Sequence, residues 1–278
     1  MARIHILRGF SDLDGALWVL KYHPELRTRS EIVATILENG LIVSDRTRFE
    51  ILQLLQEWGI AESKGYQLTL KGKHFYFLWE MKPEIAIDVL HGLQYNLWSK
   101  HVPHQNQASW AYQRVCDYLW EYQILPESED DLTAYVYEMR EELDENLGNI
   151  ANAFSRKSVN GAYDWLLPLK PPVLKDVSET STGRRNFRKA SFTRRTHCSP
   201  ALFLMGLSWV SRESKIGFGE LVEMTDERKI DVCRFCLIEP SSFDIMLNRT
   251  LTRFDFLSMQ RIGRLFVIIQ REPQIADF

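Results

Sequence analysis

For most of its length the chain places apolar residues at the 3.6-residue spacing of helices, and short alternating stretches interrupt it in a few places. Near the start, Leu17, Val19 and Leu20 give an inward face to a helix over Gly15 to Lys21, which Pro24 ends. Ile32, Val33, Ile36 and Leu37 mark a second helix that Ser30 can cap and Asn39-Gly40 stops. Leu41 to Val43 is a short turn. Ser44 can cap a third helix, in which Ile51, Leu54, Leu55 and Trp58 share one face before Gly59 closes it. Ile60 to Ser63 and Tyr66 to Leu70 can then pair as a hairpin around Lys64-Gly65, and Thr69 caps a helix through Phe75, Leu78 and Trp79.

Two helices joined by a short turn and followed by a hairpin form the layout of a winged helix-turn-helix. The expected fold class is mainly α (α+β): a winged helix-turn-helix over 1–82, a helical aromatic-rich and acidic region over 83–147, and an α+β region with small hairpins over 148–278. In such a unit the start of the second helix of the pair faces a DNA groove and the wing reaches the flanking backbone. Ser44, Arg46, Thr47, Arg48 and Lys64 are the resulting contact candidates, and Arg46, Gln53 and Gln56 point away from the apolar stripe, where they could meet base edges. Glu50 and Glu57 share that outward face and repel phosphate, so docking to a protein partner stays open beside DNA contact.

Further along, Pro83 to Trp98 reads as an apolar helix and His101 to Gln107 as a polar loop. Ser109 can cap a helix over Trp110 to Tyr122, whose many aromatic residues suit packing between helices. Glu129-Asp130-Asp131 suits the positive end of the next helix. Ser199-Pro200 opens a buried helix over Ala201 to Val210. Phe218 to Met224 reads as a short helix, Ile230 to Ile238 alternates like a strand, Phe243 to Leu247 and Phe254 to Ile262 read as helical, and Leu265 to Gln270 reads as a closing strand.

Charge changes the picture locally. The net charge of −3 supplies no global pull toward nucleic acid, so any such binding depends on patches. From Glu121 to Glu145 ten carboxylates stand against Arg140, a face for solvent or for a basic partner. From Arg156 to Pro200 the sign reverses, with ten basic residues against three acidic ones. Its centre, Arg184, Arg185, Arg188, Lys189, Arg194 and Arg195 with Phe187 and Phe192 between them, suits phosphate contact; pairing with the acidic 121–145 face is the competing reading. Just before it, Leu147 to Val159 resembles a second helix-turn-helix, adding Arg156 and Lys157 as contact candidates. Pro172 to Lys175 and Arg188 to Thr193 would be the strands of its wing.

The four cysteines are too few for a disulfide scaffold. Cys233 and Cys236 have CxxC spacing, and with His197 and Cys198 they are candidate zinc ligands, though core thiols are the simpler reading. With no apolar run of membrane-span length and no signal-peptide pattern at Met1 to Phe10, a cytoplasmic location is expected. There is no P-loop, no GxGxxG after a strand, no HExxH and no Gly-x-Ser-x-Gly, so neither catalysis nor a cofactor is expected.

His91-Gly92-Leu93-Gln94-Tyr95, Ser109-Trp110-Ala111-Tyr112 and Phe218-Gly219-Glu220-Leu221 ahead of the cysteine pair give a layout across most of the chain. It resembles a family of prokaryotic winged-helix proteins encoded in phage-defence islands beside phosphorothioate-type DNA modification genes. The resemblance implies an accessory role in antiviral defence, with double-stranded DNA and other protein subunits as partners and no catalytic residues to carry over. A transcription regulator and a protein adaptor without DNA contact are the alternatives.

Overall fold

The computed structural model describes residues 10–41, 48–97, 107–123, 129–147, 154–182 and 185–278. Four helices open the chain: α1 (Phe10–Tyr22), α2 (Arg29–Glu38), α3 (Arg48–Glu57) and α4 (Leu70–Met81). Thr28, rather than Ser30, caps α2, because Glu31 lies three residues on and reaches back to the Thr28 backbone in a capping box. Thr69 caps α4 by accepting from the Gly72 amide. The hairpin between α3 and α4 is shorter than its alternation predicts. It pairs only at Ala61 and Leu68, flanked by Glu62 N–H to Gln67 O (2.7 Å) and Thr69 N–H to Ile60 O (3.0 Å).

The second group comprises α5 (Pro83–Asn96), α6 (Gln107–Tyr122), α7 (Glu129–Leu147) and α8 (Arg156–Leu166). Ser109 lies inside α6 instead of capping it, and its hydroxyl donates to Gln94 O on α5 at 2.5 Å. The second helix-turn-helix expected around Leu147 to Val159 falls in part outside the described residues. Its second helix corresponds to α8, which runs unbroken through Gly161. Trp58, the residue after α3, meets Trp165 on α8 edge-on at 5.2 Å, so the opening helices and α8 share one buried cluster.

Next comes a hairpin of β1 (Leu174–Thr182) and β2 (Arg185–Phe192), longer than the wing read from sequence. It leads to α9 (Pro200–Glu213), capped by Ser199 with Pro200 at its first position. Beyond it lie β3 (Val222–Glu223), α10 (Asp226–Cys236), α11 (Phe243–Arg253), β4 (Leu257–Ile262) and β5 (Arg264–Ile269), with the last sheet ordered β3-β5-β4, antiparallel throughout. Three expectations fail here. Residues 230–238, read as a strand, belong largely to α10, which Thr225 caps and Asp226 and Glu227 favour at its positive end; its buried Val232, Cys233, Phe235 and Cys236 fit helical spacing as well as alternation. Residues 254–262, read as helix, contain no helix; they run into β4 from Leu257, which turns onto β5 at Gly263 with φ +69°. Residues 218–224, read as helix, end in β3, with Gly219 N–H bonded to Ile269 O at 2.7 Å.

Among the described residues no helix is long and apolar enough to cross a membrane.

Gly72 shows how tightly the opening unit closes. An added Cβ there would sit 2.0 Å from the Ile60 carbonyl oxygen. Alanine usually stabilises a helix interior relative to glycine, but here Gly72→Ala is expected to lower unfolding free energy by about 2–4 kcal/mol through overpacking, as measured by urea denaturation.

Candidate nucleic-acid interface

The run of basic residues from 184 to 195 divides into two parts with opposite fates. Arg195 is 2% exposed. Its Nη1 donates to Asp88 Oδ1 on α5 at 2.7 Å and to Lys170 O at 3.1 Å, and its Nε donates to Cys236 O at 3.0 Å. Asp88 Oδ2 in turn accepts from the Ser199 amide at 2.7 Å. Burial is the largest influence and disfavours the Arg195 charge, but Asp88, together with the nearby Cys198 and Cys236, raises the guanidinium above its ordinary value. Arg194 lies over the Trp120 ring at 3.9 Å, donates Nε and Nη2 to Trp120 O, and has Glu239 at 3.8 Å. Both arginines were expected among the phosphate contacts; both are anchors instead.

These anchors fix the base of the β1–β2 hairpin. Lys170 precedes β1 and Arg195 follows β2, so the Arg195 bond to Lys170 O ties one leg to the other. Leu174 and Phe192 pair there and are buried, and Thr193 N–H bonds Val173 O at 2.9 Å. Main-chain bonds Arg195 N–H to Leu237 O and Glu239 N–H to Arg195 O, both 2.9 Å, fasten the exit to the end of α10. Away from that base the two strands form a sheet of their own.

The register sorts the hairpin's charges. Lys175 pairs with Ser191, Ser178 with Lys189, Thr180 with Phe187 and Thr182 with Arg185; by strand alternation these positions share one face, with three cations and no carboxylate. Glu179 pairs with Arg188 on the other face. An irregularity between Lys175 and Ser178 takes up Asp176 and Val177. Nine residues of β1 span about 30 Å. Arg184 lies outside the described residues.

The N-terminal candidates are placed differently. Ser44, Arg46 and Thr47 lie outside the described residues, and Arg48 is described only as the first residue of α3. Gln53 donates to Glu57 at 2.8 Å, and Gln56 donates to Glu62 O at 3.0 Å, holding the short hairpin to α3. Both amides are thus engaged within the chain. Lys64 is exposed at the hairpin tip beside Gly65, whose φ is +83°. Lys71, which periodicity did not single out, is partly buried and donates to Trp58 O at 2.6 Å; burial lowers its affinity for a proton. Arg156 bonds Thr133 Oγ1, joining α8 to α7, and of Lys157 only its place in α8 is described.

Two carboxylates of the acidic stretch meet arginines from outside the basic run: Glu121 meets Arg234 at 3.7 Å and Glu142 meets Arg114 at 3.6 Å. Cys198, Cys233 and Cys236 are buried, and burial pushes the Cys233 thiol up to about 12 and Cys236 well above its usual range. His197 is exposed, with Nδ1 3.1 Å from Thr196 Oγ1. Among the described residues no three His, Cys, Asp or Glu side chains are grouped to hold a metal.

His91 completes the buried polar centre behind the hairpin. Its ring joins Tyr112 Oη (2.6 Å) to Phe235 O (2.8 Å), and burial, followed by the nearby Arg195 charge, lowers its pKa to about 4. Compared with protein-family models, curated proteins and solved structures, the chain matches none of them.

Arg195→Met leaves the Asp88 carboxylate buried without its cation and is expected to cost about 3–5 kcal/mol; the double variant with Asp88→Leu should be less destabilised than either single change, a double-mutant cycle read by denaturant unfolding. The His91 pKa is lower folded than unfolded, so the unfolded chain binds the extra proton. The resulting stability is complete above about pH 6.5 and is lost as pH falls toward 4, by about 3 kcal/mol for a shift of this size. Unfolding measured against pH should show that loss, and His91→Gln should flatten it.

Proposed function

We propose that the protein is a cytoplasmic DNA-binding accessory subunit that contacts duplex DNA with the cationic face of the β1–β2 hairpin. The observation that carries this reading is the strand register, which gathers Lys175, Arg185 and Lys189 on one face without a carboxylate. A two-stranded ribbon fits the major groove of B-form DNA, about 12 Å wide, and cations along it replace counterions on the phosphates. Phe187 shares that face and adds an apolar contact for a base or sugar edge. Ser178, Thr180, Thr182 and Ser191 add hydroxyl positions suited to phosphate oxygens.

Within the same proposal the opening unit is a winged helix-turn-helix whose wing is reduced to one bridge. Lys64 at its tip offers a second phosphate contact. The adaptor reading draws support from a specific observation: Gln53 and Gln56, the candidate base readers, spend their amides on Glu57 and on the Glu62 carbonyl. In that reading the opening unit holds another subunit of a defence or DNA-processing complex and DNA contact falls to the ribbon.

Replacing Lys175, Arg185 and Lys189 together with alanine should weaken binding to a duplex probe. With three phosphate contacts removed, the slope of log affinity against log salt should become shallower by about 2.7. Salt-titrated mobility-shift or fluorescence-anisotropy measurements read both quantities. No shift of the parent protein at low salt, or an unchanged slope in the triple variant, would overturn the assignment.

A further inference from the structure

Helix α4 buries one side and leaves the other bare. Gly72, Phe75, Tyr76 and Leu78 face inward, whereas Leu70, Phe77 and Met81 are 71%, 65% and 64% exposed. At about 100° per residue these three fall along one line of the helix surface. Lys73 and Glu80, both exposed, lie together on one flank of that line, one before Phe77 and one after it. Beside Phe77 and Met81 opens a cleft of about 230 Å³, bounded across from the helix by Arg253 and by residues 275–278.

We propose that this face is a self-association surface, occupied by the same face of a second copy, with the two α4 helices antiparallel about a two-fold axis close to Phe77. A two-fold interface must complement itself, each residue meeting its counterpart's partner. The order of residues along α4 meets that condition. A two-fold axis lying in the interface across the helix reverses position along the helix and preserves the flank. Lys73 of one copy therefore faces Glu80 of the other, and the reverse pair forms at the same time. Leu70 meets Met81 in the same way, leaving the two Phe77 rings at the centre, each beside the cleft of the facing copy. A partner of single charge sign would set either Lys73 or Glu80 against its like. An apolar line flanked by opposite charges at matched distances from its midpoint fits its own copy best.

The test is sedimentation of the full chain over a range of concentrations, without DNA. The parent should show a reversible monomer–dimer equilibrium. Phe77→Asp should abolish it, while the circular-dichroism melting curve stays that of the parent because the residue is exposed. Lys73→Glu alone and Glu80→Lys alone should each weaken the dimer on the order of tenfold or more, because like charges then face each other. The double variant, Lys73→Glu with Glu80→Lys, should restore it. A monomer at every concentration reached, or a dimer that neither Phe77→Asp nor the charge reversals disturb, overturns the proposal. A monomer that still binds a duplex probe in a salt-dependent way overturns it while leaving the ribbon assignment standing.

Discussion

The ion pair between Arg195 and Asp88 is the constraint around which the rest of the molecule is arranged. Its two charges are out of water, where their attraction and further hydrogen bonds offset part of the desolvation cost, although Arg195 Nη2 is buried with no hydrogen-bond partner among the described residues. Cys236 O and Lys170 O accept from the guanidinium, and the Ser199 amide donates to the carboxylate. Those partners come from the end of α10, the entry to β1 and the start of α9. One pair thereby fixes the relative positions of α5, α9, α10 and the hairpin, and His91 and Trp120 extend the network with bonds to Phe235 O and Ile238 O. Few of these segments are neighbours in sequence, so the pair specifies tertiary arrangement more than local structure.

That arrangement gives the basic run its division of labour. Arg194 and Arg195 hold the base of the ribbon by stacking, ion pairing and carbonyl contacts, and the cations further out along the strands carry the charge proposed to meet DNA. A ribbon anchored only loosely would lose affinity to the entropy of ordering it on contact. Holding both legs through one buried guanidinium removes part of that cost beforehand. On the acidic helix α7, Glu142 has Arg114 of α6 as an ion-pair partner.

Much of the helical framework was legible in sequence because its stop and start signals are local. Thr69 and Ser199 cap where the hydroxyl precedes an apolar run, and Pro200 occupies the position where its missing amide costs nothing. The failures have a common cause. Residues 230–238 satisfy both helical and alternating patterns, and only the cap at Thr225, outside the window, separates the two. Residues 254–262 owe their strand to pairing across Gly263 with β5, a partner that periodicity within one segment cannot weigh. The site was legible as a charge reversal, but Arg194 and Arg195 read no differently from Arg185 and Arg188. Burial of a guanidinium depends on a carboxylate more than a hundred residues away, and Asp88 carries no mark of that role in its own neighbourhood.

The two-strand sheet has a consequence apart from the proposed binding. Among the described residues neither β1 nor β2 has a neighbour on its outer side, so each presents a row of unpaired main-chain donors and acceptors to any other extended chain. Such borders invite stacking between molecules, and lysine or arginine along them discourages it by repulsion between like-charged copies. The cations of this ribbon would therefore guard against such stacking whether or not they meet a polyanion.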